Sequence, residues 1–206
     1  FDRFFNHGRS GVDAGDLLGR KGTRVYENLD GTLCIVYRDT FKGEWCVATR
    51  GTPEADRAIG AQAGSPDRPM TFRGLFERAL LESHSATFSE LTATLDTERT
   101  HLFELTTPYN QVVVRYEKPC LWSLGSRVTE TGEEIHPEPS IVSMAPSYSC
   151  ETLTSLLALA SERPPTEREG VVVVSREFLR VKVKSPAYVA IHGLKDAVGS
   201  SPRRML

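Results

Sequence analysis

A chain of 206 residues, 39% of them hydrophobic, is long enough to enclose a sizeable core. Its formal charge of −2 supplies no overall basic field, so any nucleic-acid contact has to come from a local patch. No apolar run reaches the roughly 18 residues a membrane helix needs, and no basic-then-apolar start of the secretory kind is present.

The opening, Phe1-Asp2-Arg3-Phe4-Phe5-Asn6, begins in mid-pattern without Met, and further residues are expected upstream. Residues 24–39 read as two strands on either side of Asp30-Gly31, a dipeptide that favours tight turns, and 44–49 as a third. The period then changes. Phe72, Leu75, Phe76, Ala79 and Leu80 form one apolar stripe, which predicts an amphipathic helix over 70–82. Strands are predicted at 101–105 and 112–116, flanking Thr107-Pro108-Tyr109-Asn110, and again at 121–128. The segment 129–149, with Pro137, Pro139 and Pro146, reads as loop. A second helix is predicted over 151–162, with Leu153, Leu156, Leu157 and Ala160 on one face and Pro164-Pro165 as its stop. Thr166-x-x-Glu169 fits a helix capping box, but Gly170 and four valines follow it. The β-branched run favours a strand at 171–174, with another at 178–183 after a Ser-Arg-Glu turn. Together these blocks predict an α+β fold of antiparallel sheets with flanking helices.

The four cysteines (Cys34, Cys46, Cys120, Cys150) form no C-x-x-C pair and read as reduced thiols, with Cys34 and Cys46 in apolar strand-like runs. The five histidines are scattered without ligand spacing, which argues against a structural zinc site.

Taken singly, the remaining motifs are ordinary. Asp-Gly is usually a turn, Phe-Glu an edge residue, and Glu-Gly before valines a strand start. Lys182 and Lys184, on one side of a strand by its period of 2, usually mark a solvated face. Their order carries more. N-L-D-G at 28–31, T-R-G-T at 49–52, F-E at 103–104, E-G-V-V at 169–172 and V-K-V-K-S at 181–185 follow the motif order of the covalent nucleotidyltransferases. That superfamily comprises DNA ligases, RNA ligases and mRNA capping enzymes. The flanks discriminate within it. Capping enzymes and most DNA ligases carry Arg where this chain has Leu33, and fungal tRNA ligases carry Asn where it has Asp30. The phage-type RNA ligase 1 family has K/R-F-F-N, matched by Arg3-Phe4-Phe5-Asn6. It also has D-G-S-L, matched by Asp30-Gly31-Thr32-Leu33, and K-G-S, matched by Arg50-Gly51-Thr52. Its F-E-F-x-x-P-x-N-R-I-V is similar to Phe103 through Val113, and its F-K-I-K-S-x-x-Y-V-x-L-H to Arg180 through His192. The chain therefore resembles that family from Arg3 to His192.

The resemblance implies a nucleotidyltransferase (ATP-grasp-like ligase) domain over residues 1–206, with any C-terminal RNA-specificity domain beginning only after about residue 195. It implies an ATP-dependent RNA ligase that joins 5′-phosphate and 3′-hydroxyl ends through a lysyl–AMP intermediate, with RNA or nicked-tRNA repair as the setting. ATP and Mg2+ (or Mn2+) are the implied cofactors. A monomer in the cytoplasm, or in the host cytoplasm if phage-encoded, is expected. By position, Lys182 and Lys184 would contact the α-phosphate, and Glu104 would hold ribose hydroxyls or metal-bound water. Glu169 would lie near metal and nucleophile, Arg50 at ribose or phosphates, and Arg3 at the distal phosphates. Glu27, Asp30 and Gly31 would complete the nucleotide site, with Val172 and Trp122 as adenine walls; Trp122 is equally readable as plain core.

The nucleophile of that pattern, Lys-x-Asp-Gly, is missing: its position holds Asn28. A carboxamide nitrogen is not a competent nucleophile at neutral pH, and Lys21 is too far upstream to take its place. An engineered substitution is the simplest account of Asn28 and a natural pseudoenzyme the other. Either way, no lysyl–AMP is expected from this chain, whereas ATP and metal binding should survive. The competing reading is a degenerate module that binds nucleotide or RNA without chemistry; a GTP-using capping enzyme is disfavoured by Leu33.

Overall fold

The computed structural model describes residues 5–9, 11, 13–56, 59 and 70–199. In chain order the elements are β1 (Phe5–Asn6), α1 (Ala14–Leu18), β2 (Arg24–Asn28), β3 (Thr32–Asp39), β4 (Glu44–Thr49), α2 (Phe72–His84), α3 (Phe88–Ala93), β5 (Arg99–Thr106), a 3-10 turn (Pro108–Asn110), β6 (Cys120–Val128), β7 (Glu134–Ile135), β8 (Ser147–Tyr148), α4 (Leu153–Ser161), β9 (Gly170–Val174), β10 (Arg180–Lys184) and α5 (Pro186–Gly199). They fall into two compact units. One holds Gly31–Gln111 and Tyr116–Ala145; the other holds the chain up to Asp30, Val112–Arg115 and the chain from Pro146 on.

The first unit is built on an antiparallel sheet of order β4-β3-β5-β6-β7. Helix α2 starts where the Thr71 hydroxyl accepts from Gly74 N at 3.1 Å. It ends at Ser85, whose φ of 53° is left-handed. The predicted stripe is the buried one. Leu75, Phe76, Ala79 and Leu80 pack on Cys34, Val36, Phe103, Leu105 and Leu121 from the sheet. Phe76 meets the Phe103 ring edge-on at 5.8 Å.

The second unit has sheet order β1-β10-β9-β2-β8. All its pairs are antiparallel except β1 with β10. On one face Val25, Val171, Val173, Val181 and Val183 bury against Ala14 and Leu17 of α1 and Leu156 and Ala160 of α4. Full burial of one such side chain stabilises by roughly 1.5–3 kcal/mol. Helix α4 opens on a capping box in which Thr152 and Ser155 exchange hydrogen bonds.

Several expectations need correcting. Asp30-Gly31 is not a hairpin turn: β2 pairs with β8 and β9, and β3 with β4 and β5, so the dipeptide is a crossover from one sheet to the other. Residues 112–116 form no strand, because the amides of Val113 and Val114 are bonded to a carboxylate instead of a neighbouring strand. The proline-rich segment 129–149 contains the short strands β7 and β8. Helices α1, α3 and α5 lie outside the predicted elements; the first two, of 5 and 6 residues, are too short for a periodic signal. The capping-box match at Thr166 starts no helix, as expected.

Candidate active site

The register of the second unit determines which side chains share a face. Tyr26 and Asn28 on β2 stand opposite Val172 and Gly170 on β9, which in turn stand opposite Lys182 and Lys184 on β10. With a side-chain period of 2, these residues lie on the face opposite the valine core. Asn6 joins the same row, opposite Lys182.

Close packing permits this arrangement. At Gly170, with φ of 155°, an added Cβ would lie 2.1 Å from Val183 O, so no side chain fits between β9 and β10 there. The residue before it, Glu169, is 6% exposed and meets Lys184 Nζ at 2.7 Å. Burial raises the Glu169 carboxyl above the ordinary 4.5; Lys184 and Lys182 oppose that rise and Asp30 adds to it.

Asp30, 5% exposed, is the hub beside this pair. Its Oδ2 accepts from the amides of Val113 and Val114, both at 2.7 Å, and its Oδ1 from the Tyr188 hydroxyl at 2.7 Å. The Asp of the Asp-Gly motif therefore ties the 112–115 segment and helix α5 to the end of β2. Tyr188 is 1% exposed, and burial, Glu169 and Asp30 together hold its phenol well above the usual range. Lys184 Nζ lies 5.2 Å from the centre of that ring. Tyr188, four residues after Lys184 and in the first turn of α5, belongs to the cluster, a role that residue type and spacing do not signal.

Asn28 is 9% exposed, and its Nδ2 has no hydrogen-bond partner among the described residues. A buried donor left unmade costs about 1–3 kcal/mol, so the site invites an acceptor at that point.

Glu27 alternates to the other face. Its carboxylate accepts from the Tyr148 hydroxyl and from Arg168 Nη2 at 3.3 Å. Arg168, 1% exposed, also donates to Leu159 O at 3.0 Å and to Glu162 at 3.2 Å. Glu27 thus contributes its side chain to the frame behind the site, leaving only its backbone toward the Asn28 face.

The other proposed residues belong to the first unit. Glu104 on β5 stands opposite Leu33 on β3 and Trp122 on β6, so Glu104 and Trp122 share a face. Trp122 Nε1 donates to Thr106 Oγ1 at 3.0 Å. Arg50 follows the end of β4. At Gly31 a Cβ would lie 2.4 Å from Leu105 O, which explains why glycine follows Asp30. Arg3 lies outside the described residues.

Among the described residues no group of three or more His, Cys, Asp or Glu side chains could by itself enclose a metal. Asp30 has both oxygens engaged by protein donors. A carboxylate such as Glu169 is the kind of oxygen donor a hard cation takes, with water and substrate oxygens completing its shell.

The RNA ligase family model matches residues 1–188. A protein of Autographa californica nuclear polyhedrosis virus, named as a candidate bifunctional polynucleotide kinase/RNA ligase, is 30% identical over 203 residues, which is 93% of this chain and 28% of that protein. An RNA ligase of Rhodothermus phage RM378 is 25% identical, over 85% of this chain and 47% of its own length. The chain thus spans less than half the length of either relative. An archaeal ATP-dependent RNA ligase superposes with a TM-score of 0.60 at 13% identity, covering 88% of this chain and 48% of that one. A Naegleria gruberi RNA ligase mutant solved with ATP and Mn gives 0.54 at 15% identity, covering 83% of this chain and 52% of that one. At such identities these two speak for the fold alone.

Proposed function

The chain belongs to the phage-type RNA ligase family, and from that membership we propose that it is the adenylyltransferase portion, residues 1–206, of an ATP-dependent enzyme sealing RNA 5′-phosphate and 3′-hydroxyl ends. The observation that carries this reading is the clustering of Asn28, Asp30, Glu169, Lys182 and Lys184 around the Asn28 face of one sheet. Two lysines alternating along β10 form a receptor for an α-phosphate, lysine being a compact charge with rotatable donors. Val172, between Tyr26 and Lys182 in the same row, offers an apolar wall for adenine. Arg50, Glu104 and Trp122, with Arg3, keep the nucleotide-binding roles of the family pattern. A divalent cation, Mg2+ or Mn2+, would neutralise charge at the phosphates; the family pattern gives Glu169 of the second unit and Glu104 of the first each a metal role through water.

Within this site Asn28 offers its amide as a hydrogen-bond donor to a phosphate oxygen but no attacking lone pair. The chain binds ATP without forming lysyl–AMP. Positioning and charge stabilisation by Lys182, Lys184 and Glu169 leave it competent for the last step, attack of a 3′-hydroxyl on RNA already adenylylated. Repair of broken RNA such as nicked tRNA, by a monomer in the cytoplasm of a cell or infected host, is the matching setting.

The substitution Asn28→Lys tests the site. Incubation with α-labelled ATP and Mg2+ is expected to leave nucleotide on the protein after denaturing electrophoresis, while the unaltered chain stays unlabelled. Absence of label on a folded Asn28→Lys protein overturns the reading. The Asn28 amide, without a partner among the described residues and free of an attacking lone pair, favours a second reading, a binding module without chemistry. Sealing of pre-adenylylated RNA by the unaltered chain rejects it, and unsealed ends support it.

A further inference from the structure

The face that carries Asn28, Lys182 and Lys184 does not end at Lys182. The next cross-strand row is Arg24 on β2, Val174 on β9 and Arg180 on β10. Rows on one face are two residues apart, about 6.6 Å along the strand. Strand β10 therefore presents three cations in succession, Arg180, Lys182 and Lys184, and β2 presents Arg24, Tyr26 and Asn28 opposite them. Val174, 6% exposed, lies between the two arginines. Arg24 is exposed, and its Nη1 donates to the Tyr26 hydroxyl at 3.3 Å. Arg180 lies over the Phe178 ring at 5.3 Å, which fixes the direction of its stem.

The direction of this row matters. With an α-phosphate at Lys182 and Lys184 and adenine against Val172, the triphosphate runs toward Asn28. The arginine row then lies on the far side of the base and serves a second anion. We infer that Arg24 and Arg180, with Tyr26 between them and the nucleotide site, form a track for the phosphodiester backbone of single-stranded RNA, its phosphates on the two guanidiniums and a base against the Tyr26 ring. Guanidiniums flanking an aromatic ring are the elements that bind single strands without reading sequence. This inference rests on the placement of ATP proposed above, and it names a substrate contact that the five motifs do not contain.

The test uses the whole chain, a fluorescent 12-nucleotide single-stranded RNA with a 5′-phosphate, and a fluorescent ATP analogue with Mg2+. The double variant Arg24→Gln/Arg180→Gln is expected to bind the RNA about tenfold more weakly and to bind the ATP analogue as before. Two lost phosphate contacts should make the slope of log K against log salt shallower by about 1.4. The Arg24→Lys/Arg180→Lys variant should keep most of the slope, which loss of folding would not explain. An unchanged RNA affinity and slope in the glutamine variant overturns the inference, as does an equal loss of ATP analogue binding, which would assign the row to the nucleotide. ATP analogue binding that does not respond to Lys182→Ala/Lys184→Ala would instead overturn the underlying placement of ATP.

Discussion

At the scale of single residues, Asp30 and Asn28 do opposite work. Asp30 satisfies three buried donors at once: the two amides of Val113 and Val114 and the Tyr188 hydroxyl. Asp30→Ala should therefore cost about 3–5 kcal/mol in urea unfolding, since each orphaned donor costs about 1–3 kcal/mol. Tyr188→Phe, which removes one donor with its acceptor still served, should cost only about 1 kcal/mol. Asn28, by contrast, finds no acceptor for its own donor among the described residues. Glu169 gives a pH signature. Its carboxyl is raised above 4.5 mainly by burial, so the folded chain holds that proton more tightly than the unfolded one. The resulting stabilisation is complete below about pH 4.5 and is lost as pH rises through the raised value. Thermal unfolding measured from pH 4.5 to 7.5 should show this decline in the unaltered chain and a shallower one in Glu169→Gln.

At the scale of elements, the site depends on how closely β9 and β10 approach. Gly170→Ala would place a methyl group 2.1 Å from Val183 O, which the two strands can relieve only by separating. A loss of about 3 kcal/mol or more, with weakened nucleotide binding, is the expected result in denaturant and titration experiments. Arg168 plays the matching part on the reverse face, linking β2 through Glu27, the end of β8 through Tyr148, and the end of α4 through Leu159 O. It sits directly before Glu169, and Glu27 directly before Asn28, so one buried cation fixes the frame behind both. Arg168→Met should destabilise by about 3–5 kcal/mol because it leaves Glu27 partly buried and unpaired. Long periodic elements such as α2, and the alternating cations of β10, were legible in the sequence. The 112–116 segment misled because Val-Val-Val spells a strand, while the deciding acceptor, Asp30, lies more than eighty residues away.

At the scale of the whole molecule, two sheets carry two separate hydrophobic clusters, and the family pattern is divided between them. If ATP binds the folded chain alone, saturating it at about 100 times its Kd adds about 2.7 kcal/mol. For a chain of this size that raises the unfolding temperature by about 5–10 °C. A thermal scan should show that rise for the unaltered chain and none for Lys182→Ala/Lys184→Ala. The order of the motifs, the presence of Asn28 where the family pattern has lysine, and the α+β class were legible in the sequence alone, because residue type, spacing and periodicity are local quantities. Which face each residue occupies was not. Glu27 turns away while its neighbour Asn28 faces the lysines, Asp30-Gly31 crosses between sheets instead of closing a hairpin, and Arg24 joins Arg180 across a valine. Those outcomes depend on strand register and on partners distant in the chain, and only the tertiary structure supplies them.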